Sequence, residues 1–443
     1  MPVSETIQKA YTALLFQELI PSQGCTEPAA IAYAAAVCRE QLGGFPEHMK
    51  VSCSGNLFKN AKSAVIPHTD GLKGIAAAAI CGAVGGDTAL KLEILKSLSK
   101  QDLPEIHRLL NDAFCEVALL NTPENLHIVV EGYRNRDYVR VEICRAHTHI
   151  AKIVKNGQTV VDDPPADGGD GSEAATALLN PTDIYQFAAG ADLSGDLGTL
   201  LRRQVTYNAA ICQDGMEHTW GACVGRLLAK QSDSVENLAC AFAAAGSDAR
   251  MSGCALPVVI NAGSGNQGIT ITAPVYIYAQ TMKATEEQML RALLLGNLMS
   301  LYQKSMIGKL SAYCGAVSAG SAAGAAIAYL CGASPEQVAY TFANAAASIS
   351  GVLCDGAKPS CAAKIACAVH MGILAQKMAM TGNNLRSGDG IVGRTPEDTA
   401  RHVGALARNG LTAIDRQILD IMYTSTPGCQ HTEQNAHQKT TGD

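Results

Sequence analysis

Apolar side chains near the start of the chain recur at helical spacing. Within residues 3–20 the pattern runs through Ile7, Tyr11, Leu14, Leu15 and Leu19 at the end of the segment. Spacing of three and four residues is typical of one buried helix face, so it predicts an amphipathic helix over 3–20. The stretch "PSQG" then predicts a turn, and the alanine-rich segment after it predicts a second helix that ends near the Gly43–Gly44 pair.

A different periodicity appears in the next part of the chain. Residues 50–67 indicate a strand and a turn, and residues 74–100 return to a helical pattern. Residues 115–161 alternate polar with β-branched side chains, and "NTPEN", "YRNRD" and "KNGQ" supply turns between the apolar runs. Alternation with regularly spaced turns predicts an antiparallel sheet.

The remaining segments complete an α+β prediction. The acidic, Pro- and Gly-rich stretch 162–173 indicates a linker or surface loop, and residues 181–423 are mostly helical in pattern. We therefore expect a mainly α-helical domain with an inserted αβ domain that contains the antiparallel sheet. The predicted boundaries are 1–45 plus 170–423 for the helical domain, 46–165 for the insertion and 424–443 for a flexible polar tail.

Composition narrows the class of partner. Hydrophobic residues make up 47% of the 443 residues and aromatic residues only 5%, so Ala, Val, Ile and Leu must build the core. The net charge is −6 and the chain has no run of Lys or Arg. This argues against nucleic acid and acidic membranes as partners, and we expect a small-molecule substrate and possible homodimers.

The sequence also indicates a cytoplasmic location. Glu5 and Lys9 interrupt the apolar residues of the N-terminal segment, which lacks the features of a signal peptide. The most apolar windows, 251–282 and 315–333, are too polar or too rich in small residues to predict a membrane span. Sixteen cysteines without an export signal favour a reducing compartment over a disulfide framework.

The first candidate for chemistry is "SQGCTEPAA" at 22–30. Cys25 precedes a helix predicted to begin around Thr26, with Glu27 and Pro28 in its first turn. The positive end of a helix dipole lowers the pKa of a nearby thiol, so we expect a reactive thiolate at Cys25. The alternative is a capping turn in which the cysteine is incidental.

Two further segments carry polar clusters. In "NAGSGNQGITI" (261–271), Ser264, Asn266, Gln267 and exposed backbone amides could bind a carboxylate, although a tight turn between buried elements fits as well. The glycine spacing does not match a dinucleotide-binding loop. The segment "SGNLFKNAKSAVIPHTDG" (54–71) contains a polar cluster of Lys59, Lys62, His68 and Asp70. These side chains could be catalytic, or they could be ordinary surface and turn residues.

Three more cysteines form the last candidate site. Cys354 follows Cys314 by 40 residues, and Cys361 follows Cys354 by seven, with Gly356 and Pro359 between the latter two. These two residues break a helix and let the chain turn, which can bring the thiols together. Structural zinc sites and electron-transfer clusters usually take four protein ligands, so three thiols would leave one position open for a substrate. The alternative is a helix–turn–helix with ordinary buried cysteines.

Together, "SQGCTEPAA", "SGNLFKNA", "GSGNQG" and "CDGAKPSC" resemble the YhaM-type proteins and the archaeal L-cysteine desulfidase, relatives of the iron–sulfur L-serine dehydratase alpha chain. The resemblance extends over about residues 5–423. It implies that Cys314, Cys354 and Cys361 carry a [4Fe-4S] cluster with one open iron in the helical domain. It also implies that Cys25 is the catalytic base or thiol, and that pyridoxal phosphate is not required.

The activity implied by the resemblance is elimination of sulfide from L-cysteine. The alternatives are dehydration of L-serine and a non-catalytic iron–sulfur or metal sensor. We expect Cys254 beside the cluster as a supporting residue, while Cys429 in the tail is either an inhibitory ligand or part of an unstructured extension. Candidate substrate-binding residues, some of them already introduced, are Ser22, Gly24, Thr26, Glu27, His68, Ser264, Asn266 and Gln267.

Overall fold

A computed structural model describes residues 3–164, 172–308 and 310–424, and it confirms the α+β class. The strands are β1 Pro21–Gln23, β2 His48–Cys53, β3 Cys115–Leu119, β4 His127–Arg134, β5 Asp137–Cys144, β6 Ile150–Lys155, β7 Gln158–Asp162 and β8 Pro257–Val259. The helices in the first half are α1 Glu5–Glu18, α2 Thr26–Leu42, α3 Gly55–Ala61, α4 Ile75–Gly85, a 3₁₀ helix Thr88–Ser97, α5 Leu103–Asn111, α6 Ser172–Ala177, α7 Pro181–Gly190 and α8 Asp196–Glu217.

The second half is helical apart from β8. Its helices are α9 Val224–Ala229, α10 Val235–Met251, α11 Gly265–Met282, α12 Glu286–Ile307, α13 Gly315–Leu330, α14 Pro335–Ser348, α15 Cys361–Met380, α16 Pro396–Ala405, a π-helical turn Leu406–Gly410 and α17 Thr412–Thr424. The residues beyond 424, including Cys429, lie outside the described residues, as do residues 165–171 of the predicted linker.

The main sheet has six strands in the order β3-β2-β4-β5-β6-β7. The predicted antiparallel pairing over 115–161 is confirmed for β4 to β7, whereas β3 pairs with β2 in parallel. The prediction of only strand and turn over 50–67 was wrong for 55–61, which form α3. Leu57, Phe58 and Ala61 are buried there at helical spacing, and burial of this face explains the helix.

Helix α2 lies against both α4 and the strands β4 and β5. The approach to α4 is so close that a Cβ at Gly82 would lie 2.0 Å from the carbonyl oxygen of Ala32. The N-terminal helix α2, which was predicted to belong to the helical domain, therefore packs directly on the inserted sheet. The predicted domain boundaries stay a prediction.

Small residues also set the packing of the helical region. At the crossing of α13 and α15, Gly320 faces the backbone of Ala368, and Gly324 faces that of Gly372. A side chain at either glycine would collide with the opposite backbone, since its Cβ would lie only 2.5 Å from the Ala368 carbonyl oxygen in the first case and 2.3 Å from that of Gly372 in the second. The core built from small aliphatic residues agrees with the composition.

Within the described ranges, a single helix long and apolar enough to cross a membrane does not occur. The helices Ile75–Gly85 and Thr88–Ser97 meet the length and composition criteria only when taken together, and they are bent by 107° at their junction.

Candidate active site

A cavity of about 100 Å³ brings together the distant sequence motifs. Four helices begin at its wall: α2 after Cys25, α11 at Gly265, α13 after Cys314 and α15 at Cys361. Helix N-termini present unpaired backbone N–H groups and a positive partial charge, so this wall favours anions. The predicted residues that line the cavity are Cys25, Thr26, Glu27, Ser264, Asn266, Gln267, Cys314, Cys354 and Cys361.

Backbone pairing holds two of the three thiols side by side. The N–H of Cys314 donates to the carbonyl of Val352 at 3.1 Å, and the N–H of Cys354 donates to the carbonyl of Ala312 at 2.7 Å. After Cys354 the chain turns through Gly356, whose φ of 93° is in the left-handed region that glycine adopts without strain. This turn leads to Cys361 at the first position of α15, so the predicted break in the helix is confirmed.

The thiols also influence each other electrostatically. Burial, reinforced by the neighbouring Cys354, raises the pKa of Cys314 to about 12. Burial likewise raises the pKa of Cys361, while Lys358, Cys354 and Lys364 act on it as nearby charges. A bound cationic centre reverses this preference and makes thiolates stable.

The donor set can be tested against the implied cluster. Among residues 3–164, 172–308 and 310–424, no three His, Cys, Asp or Glu side chains are arranged to hold a single metal ion. The three thiols nevertheless line one cavity, on two helix starts and the intervening loop. Three thiols on one cavity wall fit an inorganic centre held by thiolates, which is the ligand type that iron–sulfur clusters take. Cys314, Cys354 and Cys361 are therefore a suitable set for a cluster.

Cys25 occupies the predicted position before α2, but its protonation differs from the prediction. Its side chain is 3% exposed, and its Sγ donates to Oε2 of Glu27 at 2.9 Å. Burial and the Glu27 carboxylate raise the pKa of the thiol well above its ordinary value, against a smaller lowering by Arg250. The expected low-pKa thiolate was wrong, because desolvation and a neighbouring anion outweigh the helix N-terminus.

Glu27 is the polar centre of this wall. Oε2 also lies 2.9 Å from Oγ1 of Thr26, while Oε1 accepts from Nδ2 of Asn60 at 3.0 Å and lies 4.0 Å from Nε2 of His147. Burial raises the pKa of Glu27, but His147 and the hydrogen bonds from Cys25 and Thr26 outweigh it, so the net pKa is lowered. The carboxylate is therefore ionised at neutral pH and is held by several donors.

Several lining residues were not among the predicted site residues. Asn60 follows the candidate Lys59, His147 lies in the turn after β5, and Arg250 lies in the last turn of α10. Lys304 and Tyr313 also line the cavity. Asn60 lies within a quoted motif and Tyr313 directly precedes Cys314, whereas His147, Arg250 and Lys304 reach the cavity through tertiary packing.

Three predicted substrate-binding residues lie outside the cavity lining. Ser22 is paired with Val258 in the short β1–β8 sheet, and Gly24 has a φ of 67° against Pro67. His68 is exposed, and its Nε2 is 3.0 Å from Nε2 of Gln23. We therefore assign these residues to the turn that positions Cys25 and not to contact with a substrate.

The candidate lysines and Cys254 also point elsewhere. Nζ of Lys59 forms a buried ion pair of 2.6 Å with Asp415 in α17, and Nζ of Lys62 donates to the carbonyl of Met422. Asp70 is exposed, away from the cavity lining. Cys254 lies 3.6 Å from Asp214 and is likewise absent from the lining. None of these side chains lines the cavity, and Lys59 and Lys62 instead connect the segment after β2 to α17.

The chain is similar to known proteins over most of its length. Residues 90–420 match the family model of the serine dehydratase alpha chain. A UPF0597 protein of Lachnoclostridium phytofermentans is 46% identical over 410 residues, which cover 92% of this chain and 98% of the relative. A UPF0597 protein of Desulfitobacterium hafniense is 44% identical over 415 residues, covering 94% and 96% of the two chains. The chain therefore belongs to the UPF0597 family and contains a serine dehydratase alpha chain domain.

Proposed function

We propose that this protein is an iron–sulfur-dependent lyase that eliminates sulfide from L-cysteine. One observation carries the proposal: three thiols suited to a cluster and the buried Cys25–Glu27 pair line the same cavity. The motifs shared with YhaM-type L-cysteine desulfidases and the serine dehydratase alpha chain domain support it. The overall reaction consumes L-cysteine and water and releases pyruvate, ammonia and hydrogen sulfide.

Cys314, Cys354 and Cys361 are the residues that would hold a [4Fe-4S] cluster. When bound by three protein thiolates, such a cluster offers one iron as a Lewis acid for a substrate sulfur or carboxylate. The loop between Cys354 and Cys361 packs closely on the backbone of α3. A Cβ at Gly356 would lie 2.4 Å from the carbonyl oxygen of Lys59. The protein thus contributes a fixed turn that holds the second and third thiols toward the cavity.

The Cys25–Glu27 pair removes the α-proton of the substrate. In the resting pair the proton is on sulfur, because the pKa of Cys25 is raised and that of Glu27 is lowered. In the proposed step Glu27 accepts the thiol proton while the sulfur of Cys25 accepts the α-proton, so the pair gains one proton in total. A base placed within reach of the reacting proton contributes typically about 10²–10⁴-fold to the rate.

The bonds then balance without an added oxidant or reductant. The electron pair of the Cα–H bond forms a Cα–Cβ double bond, and the Cβ–S bond breaks to release hydrosulfide. The hydrosulfide takes the extra proton from the Cys25–Glu27 pair and leaves as hydrogen sulfide, which restores the pair. The resulting 2-aminoacrylate takes up a proton as its imine and is hydrolysed to pyruvate and ammonia.

The match to the serine dehydratase alpha chain supports a second candidate, dehydration of L-serine. The proton chemistry at Cys25 and Glu27 is the same, and only the leaving group changes from sulfide to water. The substrate that gives the higher kcat/KM distinguishes the two candidates.

The test uses the full-length protein reconstituted anaerobically with iron and sulfide. We expect pyruvate and sulfide from L-cysteine, at a kcat/KM above that for pyruvate from L-serine. Replacing Cys314, Cys354 or Cys361 by Ala should remove the iron and the visible absorbance. Cys367→Ala is the matched control, because Cys367 is exposed on the same helix as Cys361 and should keep both.

Other outcomes would reject the proposal. A reconstituted protein that binds iron but turns over neither amino acid would favour a sensor. An active, colourless Cys354→Ala variant would contradict the assignment of the ligands.

A further inference from the structure

A buried cation in the cavity wall has no substrate-binding role assigned in the steps above. Arg250 is 3% exposed in the last turn of α10. Its Nη1 donates to Oδ1 of Asn266 at 3.1 Å, and its Nε has no hydrogen-bond partner among the described residues. The partner of this guanidinium is thus a neutral amide and not a carboxylate. A charge buried without a counter-ion is costly, so the arrangement suits an anion that arrives with a ligand.

The backbone of α11 places a second anion-binding feature beside Arg250. A Cβ at Gly265, the first residue of α11, would lie 2.4 Å from Nε of Arg250, so only glycine lets the guanidinium lie against this helix start. The helix has 18 residues, and its N-terminus faces the cavity. A guanidinium and a helix N-terminus at one point form a typical carboxylate-binding arrangement.

Acceptors without partners line the same cavity. Oε1 of Gln267 and Oδ1 of Asn60 belong to side chains that are 4% and 8% exposed, and neither atom has a hydrogen-bond partner among the described residues. Buried acceptors without partners are expensive and indicate a ligand with donors. The cavity therefore offers a cation for one end of a small molecule and acceptors for the other.

We propose that Arg250 binds the α-carboxylate of a free amino acid, while Gln267 and Asn60 accept from its ammonium group. The inference rests on the proposed function and deepens it, since it adds the residue that selects free amino acids over amines and amidated derivatives. A bidentate guanidinium–carboxylate pair fixes the orientation of Cα, which presents the α-hydrogen to Cys25.

Binding can be measured without turnover of L-cysteine. Isothermal titration calorimetry on the full-length, anaerobically prepared protein compares L-serine with ethanolamine, which lacks only the carboxylate. We expect ethanolamine to bind at least about 10-fold more weakly than L-serine, as the loss of a charge-assisted pair predicts. Arg250→Gln should weaken L-serine by at least about 10-fold and leave ethanolamine unchanged, and Arg250→Lys should weaken L-serine less.

Arg226→Gln serves as the matched control. Arg226 in α9 is half-buried and donates to Oγ1 of Thr219 in a solvent-exposed hydrogen bond outside the cavity lining, and its replacement should leave both affinities unchanged. In turnover, Arg250→Lys should raise KM more than it lowers kcat. Equal binding of L-serine and ethanolamine by the unchanged protein, or an Arg250→Gln variant that folds and binds L-serine normally, would overturn the inference.

Failure of the proposed function gives a different result. A protein that binds L-serine through Arg250 but forms neither sulfide nor pyruvate would reject the lyase and keep the carboxylate site. If Arg250→Gln does not fold, the carboxylate site is tested by comparing L-serine with ethanolamine on the unchanged protein and on Arg250→Lys.

Discussion

At the scale of single residues, Glu27 connects the protein framework to the proposed chemistry. One oxygen faces the donors of Cys25 and Thr26, and the other accepts from Asn60. An ionised carboxylate satisfies all three donors at once, whereas an amide offers only one acceptor oxygen. In the proposed step, the charge of Glu27 serves both to hold the Cys25 proton and to receive it.

We predict that Glu27→Gln lowers kcat for pyruvate formation by about 100-fold or more, because the pair loses its proton acceptor. The fold should survive, since the side chain keeps its size. Initial rates of the reconstituted protein and far-UV circular dichroism measure the two effects. Glu116→Gln is the control, since Glu116 is exposed and paired with Lys50. A Glu27→Gln variant with normal kcat would remove Glu27 from the mechanism.

Sequence motifs identified some of these residues and missed others for a physical reason. Cys25 and Glu27 stood out because a local rule about helix starts applies to them. Arg250 and His147 follow no local rule, since each reaches the cavity from an element that touches it only in the folded chain. The direction of the Cys25 pKa was also wrong, because it depends on burial and on a carboxylate whose orientation the sequence does not specify.

At the scale of elements, the loop between α14 and α15 depends on one glycine. Gly356 has a φ of 93°, and a Cβ there would lie 2.4 Å from the carbonyl oxygen of Lys59. Both the backbone conformation and the close contact therefore exclude a larger residue. Gly351 lies earlier in the same connection, and a Cβ there would meet nothing within 4 Å.

This contrast predicts different behaviour of two alanine variants. Gly356→Ala should displace the loop and lower the iron bound per chain after reconstitution, whereas Gly351→Ala should keep the normal content. Iron analysis and visible absorbance provide the measurement. Equal iron retention by both variants would show that the position of this turn does not determine cluster binding.

Helices α9 and α10 are joined by a buried acid. Oδ2 of Asp248 in α10 accepts from the N–H of Gly225 in α9 at 3.0 Å, and Oδ1 has no partner among the described residues. Burial raises the pKa of Asp248 to about 6, despite backbone hydrogen bonds from Gly225, Val224 and Ala222 that lower it. Folding therefore favours the neutral form of Asp248 more than the unfolded chain does.

This pKa predicts a pH dependence of stability. An unfolded Asp titrates near pH 3.9, so the stabilisation is complete below about pH 4 and is lost as the pH rises through about 6. The Asp248→Asn variant does not lose stability in this way, because the Asn side chain does not ionise. Its unfolding free energy relative to the unchanged protein should therefore be higher at pH 7.5 than at pH 4.5, by on the order of 2 kcal/mol. Urea denaturation at the two pH values tests this, with exposed Asp233→Asn as the control.

At the scale of the whole molecule, the site exists because distant segments converge. Cys25 comes from the beginning of the chain, and Cys314, Cys354 and Cys361 come from its last third. Periodicity predicted the α+β class and most helices, since amphipathic spacing is local. It did not predict the parallel β2–β3 pair or the packing of α2 on the sheet, because both depend on contacts between segments far apart in sequence.

The three candidate cluster thiols lie directly before α13, at the start of α15 and in the loop before α15, whereas β4 and β5 belong to the inserted sheet. A bound centre would stabilise the elements that it links, through the free energy of ligand binding. We predict that removing iron by an anaerobic chelator increases amide hydrogen exchange over residues 312–316 and 350–362. Exchange over 127–144 should not change, because these strands pair with one another and contain none of the three thiols.

Hydrogen-exchange mass spectrometry before and after chelation tests this difference, and the Cys367→Ala protein should behave like the unchanged chain. A uniform rise in exchange across both regions would mean that iron stabilises the molecule globally, contrary to the local linkage argued from these elements. No change at 350–362 would place the iron elsewhere, since the loop that joins two of the three thiols cannot lose its ligand and keep the same protection.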